Sequence, residues 1–150
     1  MALIKLLHLL SVVIWVGGMF FAYVVLRPAA AEILQPPDRL KLWDKVFSNF
    51  FTWVWVAVGL VLATGLYMIY LFGGMGGVGR YIHIMLLLGI VMMAIFVYVY
   101  FIQYVPFRLA VAAQEWPKAG AILVTIRKLV ATNVVIGLIT FAVVIMGRAI

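Results

Sequence analysis

Two histidines, His8 and His83, are the only imidazoles in the chain, and each falls within an apolar stretch. His8 lies in LIKLLHLLSVVIWVGGMFFAYVVL, Leu3 to Leu26, and His83 lies just after Arg80 at the start of another such run. An ionisable side chain inside a bilayer costs roughly 2.5–3.5 kcal/mol or more when charged, so those found there usually face the protein interior and have a task. A neutral imidazole supplies one N–H donor and one lone pair able to bind a metal. Other reactive groups are scarce. There is no cysteine, which removes disulfides, thiolate ligands and thiol nucleophiles. The four acidic residues, Glu32, Asp38, Asp44 and Glu115, all fall in polar connections, so a carboxylate proton relay within the membrane is not expected. Zinc, which normally takes three or four protein ligands, is disfavoured on the same ground. Eight methionines bring thioethers, which suit Cu(I). They are scattered, however, and Met92-Met93 has no supporting cluster, so packing is their first reading.

The elements that must position these side chains are membrane helices. Of 150 residues, 69% are hydrophobic and 10% charged, against about 25% charged in soluble domains. Four apolar runs cover about 2–26, 47–72, 81–105 and 129–146. Each is roughly 18–26 residues long, which fits a hydrocarbon core of about 30 Å. Lys5, the first run and Ala29-Ala30-Ala31 imitate a secretory signal. The run exceeds the usual h-region of about 7–15 residues, so a retained helix is expected. Pro28 and Pro106 are read as the stops of the first and third runs. Asp38 to Lys45 (DRLKLWDK) reads as a short interfacial helix, with Leu40, Leu42 and Trp43 dipping into lipid. Gly73 to Gly79 (GGMGGVG) reads as a turn and lacks the Lys-Ser/Thr of a phosphate loop. The expected fold is therefore all-α: one integral membrane domain over 1–150, an up-down-up-down four-helix bundle with an interfacial helix in its first loop. No internal repeat is evident.

Charge sets an expected orientation. The net charge of +7 is attributed to topology and contact with anionic lipid headgroups rather than to nucleic acid. The first and third connections carry eight basic residues: Arg27, Arg39, Lys41, Lys45, Arg108, Lys118, Arg127 and Lys128. The opposite side carries three: Lys5, Arg80 and Arg148. The positive-inside rule then makes those connections cytoplasmic and both termini periplasmic, in a bacterial inner membrane.

On that topology helices one and three run in the same direction. His8 falls roughly 9 Å below its helix start at 1.5 Å per residue, and His83 about 3–5 Å below Arg80. In a four-helix bundle these helices are diagonal partners, with axes roughly 12–14 Å apart given adjacent spacings of about 8–10 Å. Two inward imidazoles at matched depth leave a gap for a planar cofactor held from both faces. The residues thus point to haem b with His8 and His83 as axial ligands, acting in electron transfer or small-molecule redox chemistry with a partner not identified here. Arg80 and Lys5 are candidate partners for haem propionates, or interfacial anchors. Trp15 shares a helix face with His8 and is a candidate pocket wall, or core. Thr64 and Tyr67 lie at the right depth on the second helix to orient an imidazole, and the sequence does not choose between them. Asn133 reads as interhelical glue. The plain alternative is that each histidine hydrogen-bonds a neighbouring helix.

The opening LLHLLSVVIWVGGMFF resembles the first helix of CopD-like membrane proteins, the copper-resistance D domain group, whose pattern is a histidine followed by W-x-G-G. The stretches FFTWVWV, GGMGGVGRYIHIM and RKLVATNVVIGLIT resemble its short, single-domain bacterial members. The resemblance covers nearly the whole chain and implies copper transport or resistance, with copper as the alternative to haem. A more distant similarity is to the HemJ-type protoporphyrinogen oxidases. Their early-helix histidine matches His8, and their third-helix W-x-H-x-K matches Tyr81-Ile82-His83-Ile84-Met85, with Met85 in place of the lysine. That likeness implies haem binding, while the missing lysine counts against protoporphyrinogen oxidation. A haem-dependent oxidoreductase activity, a homodimer built on glycine faces, and a cofactor-free accessory subunit are the remaining expectations.

Overall fold

The computed structural model describes residues 1–148. Nearly all of them are helical, because a segment surrounded by lipid must pair its backbone N–H and C=O groups with one another. Four long helices result: α1 Ala2–Ile33, α2 Pro36–Leu71, α3 Arg80–Ala112 and α4 Trp116–Gly147. All four are long and apolar enough to cross a membrane, and no strand occurs among the described residues. The chain is an all-α, multi-pass membrane protein. Short connections at 34–35 and 113–115 and a glycine turn at 72–79 force consecutive helices to run antiparallel. His8 and His83 lie toward one end, here the histidine end. The first and third connections lie at the other, the arginine end.

The helices outrun their apolar runs at the arginine end, for two reasons. The first concerns starts. Pro36 and Pro117 occupy the first turns of α2 and α4, where the missing N–H has no partner to lose. Nothing between Lys45 and Phe47 breaks the ladder. The stretch Asp38 to Lys45 is therefore helical as expected but forms the opening turns of α2 rather than a separate element. With 36 residues, α2 is roughly 54 Å long, well beyond an apolar core of about 30 Å.

The second reason corrects the reading of Pro28 and Pro106 as stops. Both helices continue past their proline, to Ile33 and Ala112. Each proline is preceded by six residues of π-helix, Phe21–Leu26 and Val99–Tyr104. In a regular α-helix the proline ring meets the carbonyl four residues back. The wider π turn accommodates it, and the α form resumes at Arg27 and Val105. The two hairpins α1–α2 and α3–α4 thus share a construction that their residue strings do not reveal.

Packing joins α1 mainly to α2 and α3 mainly to α4, with α4 also against α1. At the arginine end the core is aromatic. Phe47 stacks on Phe51 at 5.1 Å, and Phe107 and Tyr104 meet these rings edge-on. Edge-to-face pairs of this kind contribute about 0.5–1.5 kcal/mol each beyond burial. Near mid-bundle, Asn133 Nδ2 donates to the Met92 carbonyl at 3.1 Å, tying α4 to α3. One turn along α4, a Cβ built on Gly137 would sit 2.9 Å from Val16 and 3.3 Å from Met92 Cε, so α1, α3 and α4 converge on that glycine.

Gly137→Leu is expected to destabilise the bundle by about 1–3 kcal/mol through overpacking. Gly59→Ala, where nothing lies within 4 Å, is expected to leave stability unchanged. Thermal unfolding in detergent compares the two, and equal midpoints would contradict the three-helix junction.

Candidate functional site

His8 is half-buried on α1 and faces α2. Its Nδ1 lies 2.9 Å from Thr64 Oγ1. The Thr64 hydroxyl has a single proton, which it donates to the Leu60 carbonyl one turn back. Its oxygen is then an acceptor toward His8, so Nδ1 carries the imidazole proton and Nε2 keeps its lone pair. Fixing the ring through one nitrogen while freeing the other is how proteins prepare a histidine for a metal. The next residue of α2 makes the approach possible: a Cβ at Gly65 would lie 3.3 Å from His8 Cε1, so the ring rests on bare backbone. Depth agrees as well, since His8 and Thr64 each lie roughly 10 Å from the histidine end of their helices.

The other residues singled out by sequence have different settings. Tyr67, the second candidate to orient an imidazole, is 48% exposed, whereas Thr64 is 9% exposed and holds the contact. Trp15 is 3% exposed and packs edge-on to Phe96 at 6.4 Å. It lines an interior cavity of about 30 Å³ shared with Met19 and Asn133, two turns deeper than His8. Lys5 and Arg80 are exposed, and the one ion pair among the described residues is Lys118–Glu115. His83 is also exposed. Its Nδ1 donates to the Gly79 carbonyl at 3.2 Å, so its Nε2 is free too.

The structure does not gather His8 and His83 into one cavity. His8 is engaged with α2, whereas His83 bonds back to the Gly79 carbonyl at the start of its own helix. The ring contact between α1 and α3 is made deeper, by Trp15 and Phe96. Neither of the two main cavities is lined by a histidine. Neither cavity therefore supplies a haem pocket walled by both residues. Nor does any group of three His, Asp, Glu or Cys among the described residues come close enough to hold a metal ion.

The family model for copper resistance protein D, CopD, matches residues 44–146. The chain belongs to the CopD family. The match takes in most of α2, all of α3 and nearly all of α4, and so includes Thr64 and His83. His8 lies outside it, on α1. Comparisons with curated proteins and with solved structures give no match. The match bears out the CopD likeness read from FFTWVWV, GGMGGVGRYIHIM and RKLVATNVVIGLIT, while the first-helix string lies outside it.

Sequence reasoning singled out His8 but left its partner open. The signal that could have decided was the Thr64-Gly65 pair: an acceptor followed by a residue without a side chain, at the depth of the imidazole. Thr64→Val is expected to release Nδ1, so that His8 populates both tautomers, while Thr64→Ser keeps the Nδ1–H form. Nitrogen-15 NMR of histidine-labelled protein reads this directly. An unchanged tautomer in Thr64→Val would show that Thr64 does not set it.

Proposed function

We propose that this CopD-family protein handles copper, binding Cu(I) as its cargo at the histidine end of the bundle with His8 Nε2 as a ligand. The observation that carries the reading is the Thr64 hydrogen bond, which leaves a metal-competent nitrogen half-buried among helices. The inventory of donors supports it. Thiolates are absent and carboxylates lie outside the apolar runs, which leaves imidazole and thioether. Cu(I) takes both, whereas magnesium and calcium take oxygen ligands and zinc takes imidazole but normally completes its site with thiolate or carboxylate. Met68 lies one turn beyond Thr64 on the same face of α2 and is half-buried, so its helical register makes it a thioether candidate beside His8. In the orientation favoured by the basic connections, this end faces the periplasm of a bacterial inner membrane.

A second reading, a b-type cytochrome, is favoured by one observation: His8 and His83 share the tautomer with Nε2 free. This reading makes each Nε2 an axial ligand.

One preparation separates the two. Purified protein is titrated anaerobically with Cu(I) against a chromogenic chelator, and absorption spectra are taken after expression with ample haem. Copper handling predicts Cu(I) retention that is lost in His8→Ala and weakened about tenfold in Thr64→Val. A Cu(I) affinity unchanged by His8→Ala and by Met68→Leu overturns it. A Soret band lost in both His8→Ala and His83→Ala would establish the cytochrome instead.

A further inference from the structure

The larger of the two cavities lies at the arginine end, and His8 does not line it. It is a partly open cleft of about 620 Å³ walled by α1, α2 and α4. Its volume is within the range of about 300–1,000 Å³ usual for ligand pockets. Three arginines line it, one from each helix: Arg27, Arg39 and Arg127. All three are half-buried. No acidic residue lines the cleft, and no arginine forms an ion pair among the described residues. Three like charges converging on one half-buried space repel, and an anion placed between them relieves that repulsion. Guanidinium groups match phosphate oxygens with paired N–H donors.

The cleft has a polar end and an apolar end. Around the arginines stand Tyr23, Trp43 and Trp116, and Arg27 lies over the Tyr23 ring at 4.8 Å. Deeper in, the walls are Ala22, Phe47 and Val130, which also border the small interior cavity. This gradient follows the bilayer normal. Arg27 stands where the first apolar run ends, the level at which lipid phosphates lie, and Ala22 is five residues further into the membrane. The π segment of α1 belongs to this wall: Ala22 and Tyr23 sit in it, and Pro28 behind it also lines the cleft. Irregular turns of this type often mark functional sites.

We propose that the cleft is a binding site for an anionic phospholipid, its phosphate held by Arg27, Arg39 and Arg127 and an acyl chain lying toward Ala22, Phe47 and Val130. Basic pockets between membrane helices take anionic headgroups in this way. A free phosphate satisfies the arginines but not the apolar end, and a zwitterionic lipid brings its own cation into a site with no carboxylate to receive it. Bound lipid joins the ends of α1, α2 and α4 at the place where α1 departs from regular helix.

Trp43 and Trp116 in the walls provide the readout. Delipidated protein in detergent is titrated with phosphatidylglycerol brominated on its acyl chains, and with brominated phosphatidylcholine. The expected result is saturable quenching of tryptophan fluorescence, with affinity about tenfold higher for phosphatidylglycerol. In R27Q/R39Q/R127Q that preference falls to none. Circular dichroism and the thermal midpoint verify folding, and the single variant R127Q, expected to lose part of the preference, serves if the triple variant does not fold. Equal quenching by both lipids in the unmodified protein overturns the proposal. So does competition by inorganic phosphate as effective as that by unbrominated phosphatidylglycerol, which would mark a free-anion site.

Discussion

Everything in this fold follows from the absence of water around its backbone. A peptide group in lipid has only its own helix to bond with, and the chain obeys this even where its residues resist. At Pro28 and Pro106 the helices widen into π turns rather than ending. The hydroxyls follow the same rule: Ser11, Thr52, Thr132 and Thr140 each donate to a carbonyl four residues back on their own helix. With polar groups folded inward this way, few remain to join helices. Among the described residues, two side-chain hydrogen bonds cross between helices, His8 with Thr64 and Asn133 with the Met92 carbonyl. The rest of the assembly relies on ring packing at the arginine end and on close approach at glycines such as Gly137. Those two polar contacts are therefore informative, since apolar packing can hold helices without them.

Each leaves an acceptor unused, Asn133 Oδ1 in one and His8 Nε2 in the other, but only the second is an imidazole nitrogen able to bind a metal. Asn133 donates to a backbone carbonyl and so ties helices together. Thr64 can accept from His8 because its own proton is already committed to Leu60. A hydrogen bond that serves packing alone could be made by any donor. A histidine makes it while keeping Nε2 available. With the thioethers, it is one of the few groups within the span suited to copper, and membership of the CopD family is consistent with that reading.

The two ends of the bundle are chemically opposite. The histidine end has imidazoles and thioethers and no carboxylate. The arginine end has the four acidic residues and most of the basic ones, and three arginines line a cleft that no acidic residue lines and that leads from the interface toward the core. The proposed cation site and the proposed anion site thus lie at opposite ends of the membrane span. Between them, Trp15, Phe96, Phe51 and Val54 fill the interior except for a cavity of about 30 Å³, room for one or two water molecules.

Much of the fold was legible because hydropathy is a local property. Four apolar runs of spanning length, an all-α bundle and the singularity of His8 could each be read from the residue string. The prolines could not, because their effect depends on whether the surroundings favour a widened turn over a break, and lipid favours the turn. Nor could the pairing of His8 with Thr64 rather than Tyr67, since side chains one turn apart differ only in which way they face once α1 and α2 have docked. The different partners of His8 and His83 have the same origin. Matched depth comes from counting along each helix, whereas rotation about the helix axis is fixed by packing, and packing turned His8 onto Gly65 of α2. The cleft of Arg27, Arg39 and Arg127 lay furthest from view, for these residues are distant in sequence and meet only when three helix ends converge. The sequence by itself determined what crosses the membrane and which chemical groups go with it. Tertiary structure decided which of those groups meet, because helix rotation and convergence are set by contacts between segments that no local pattern records.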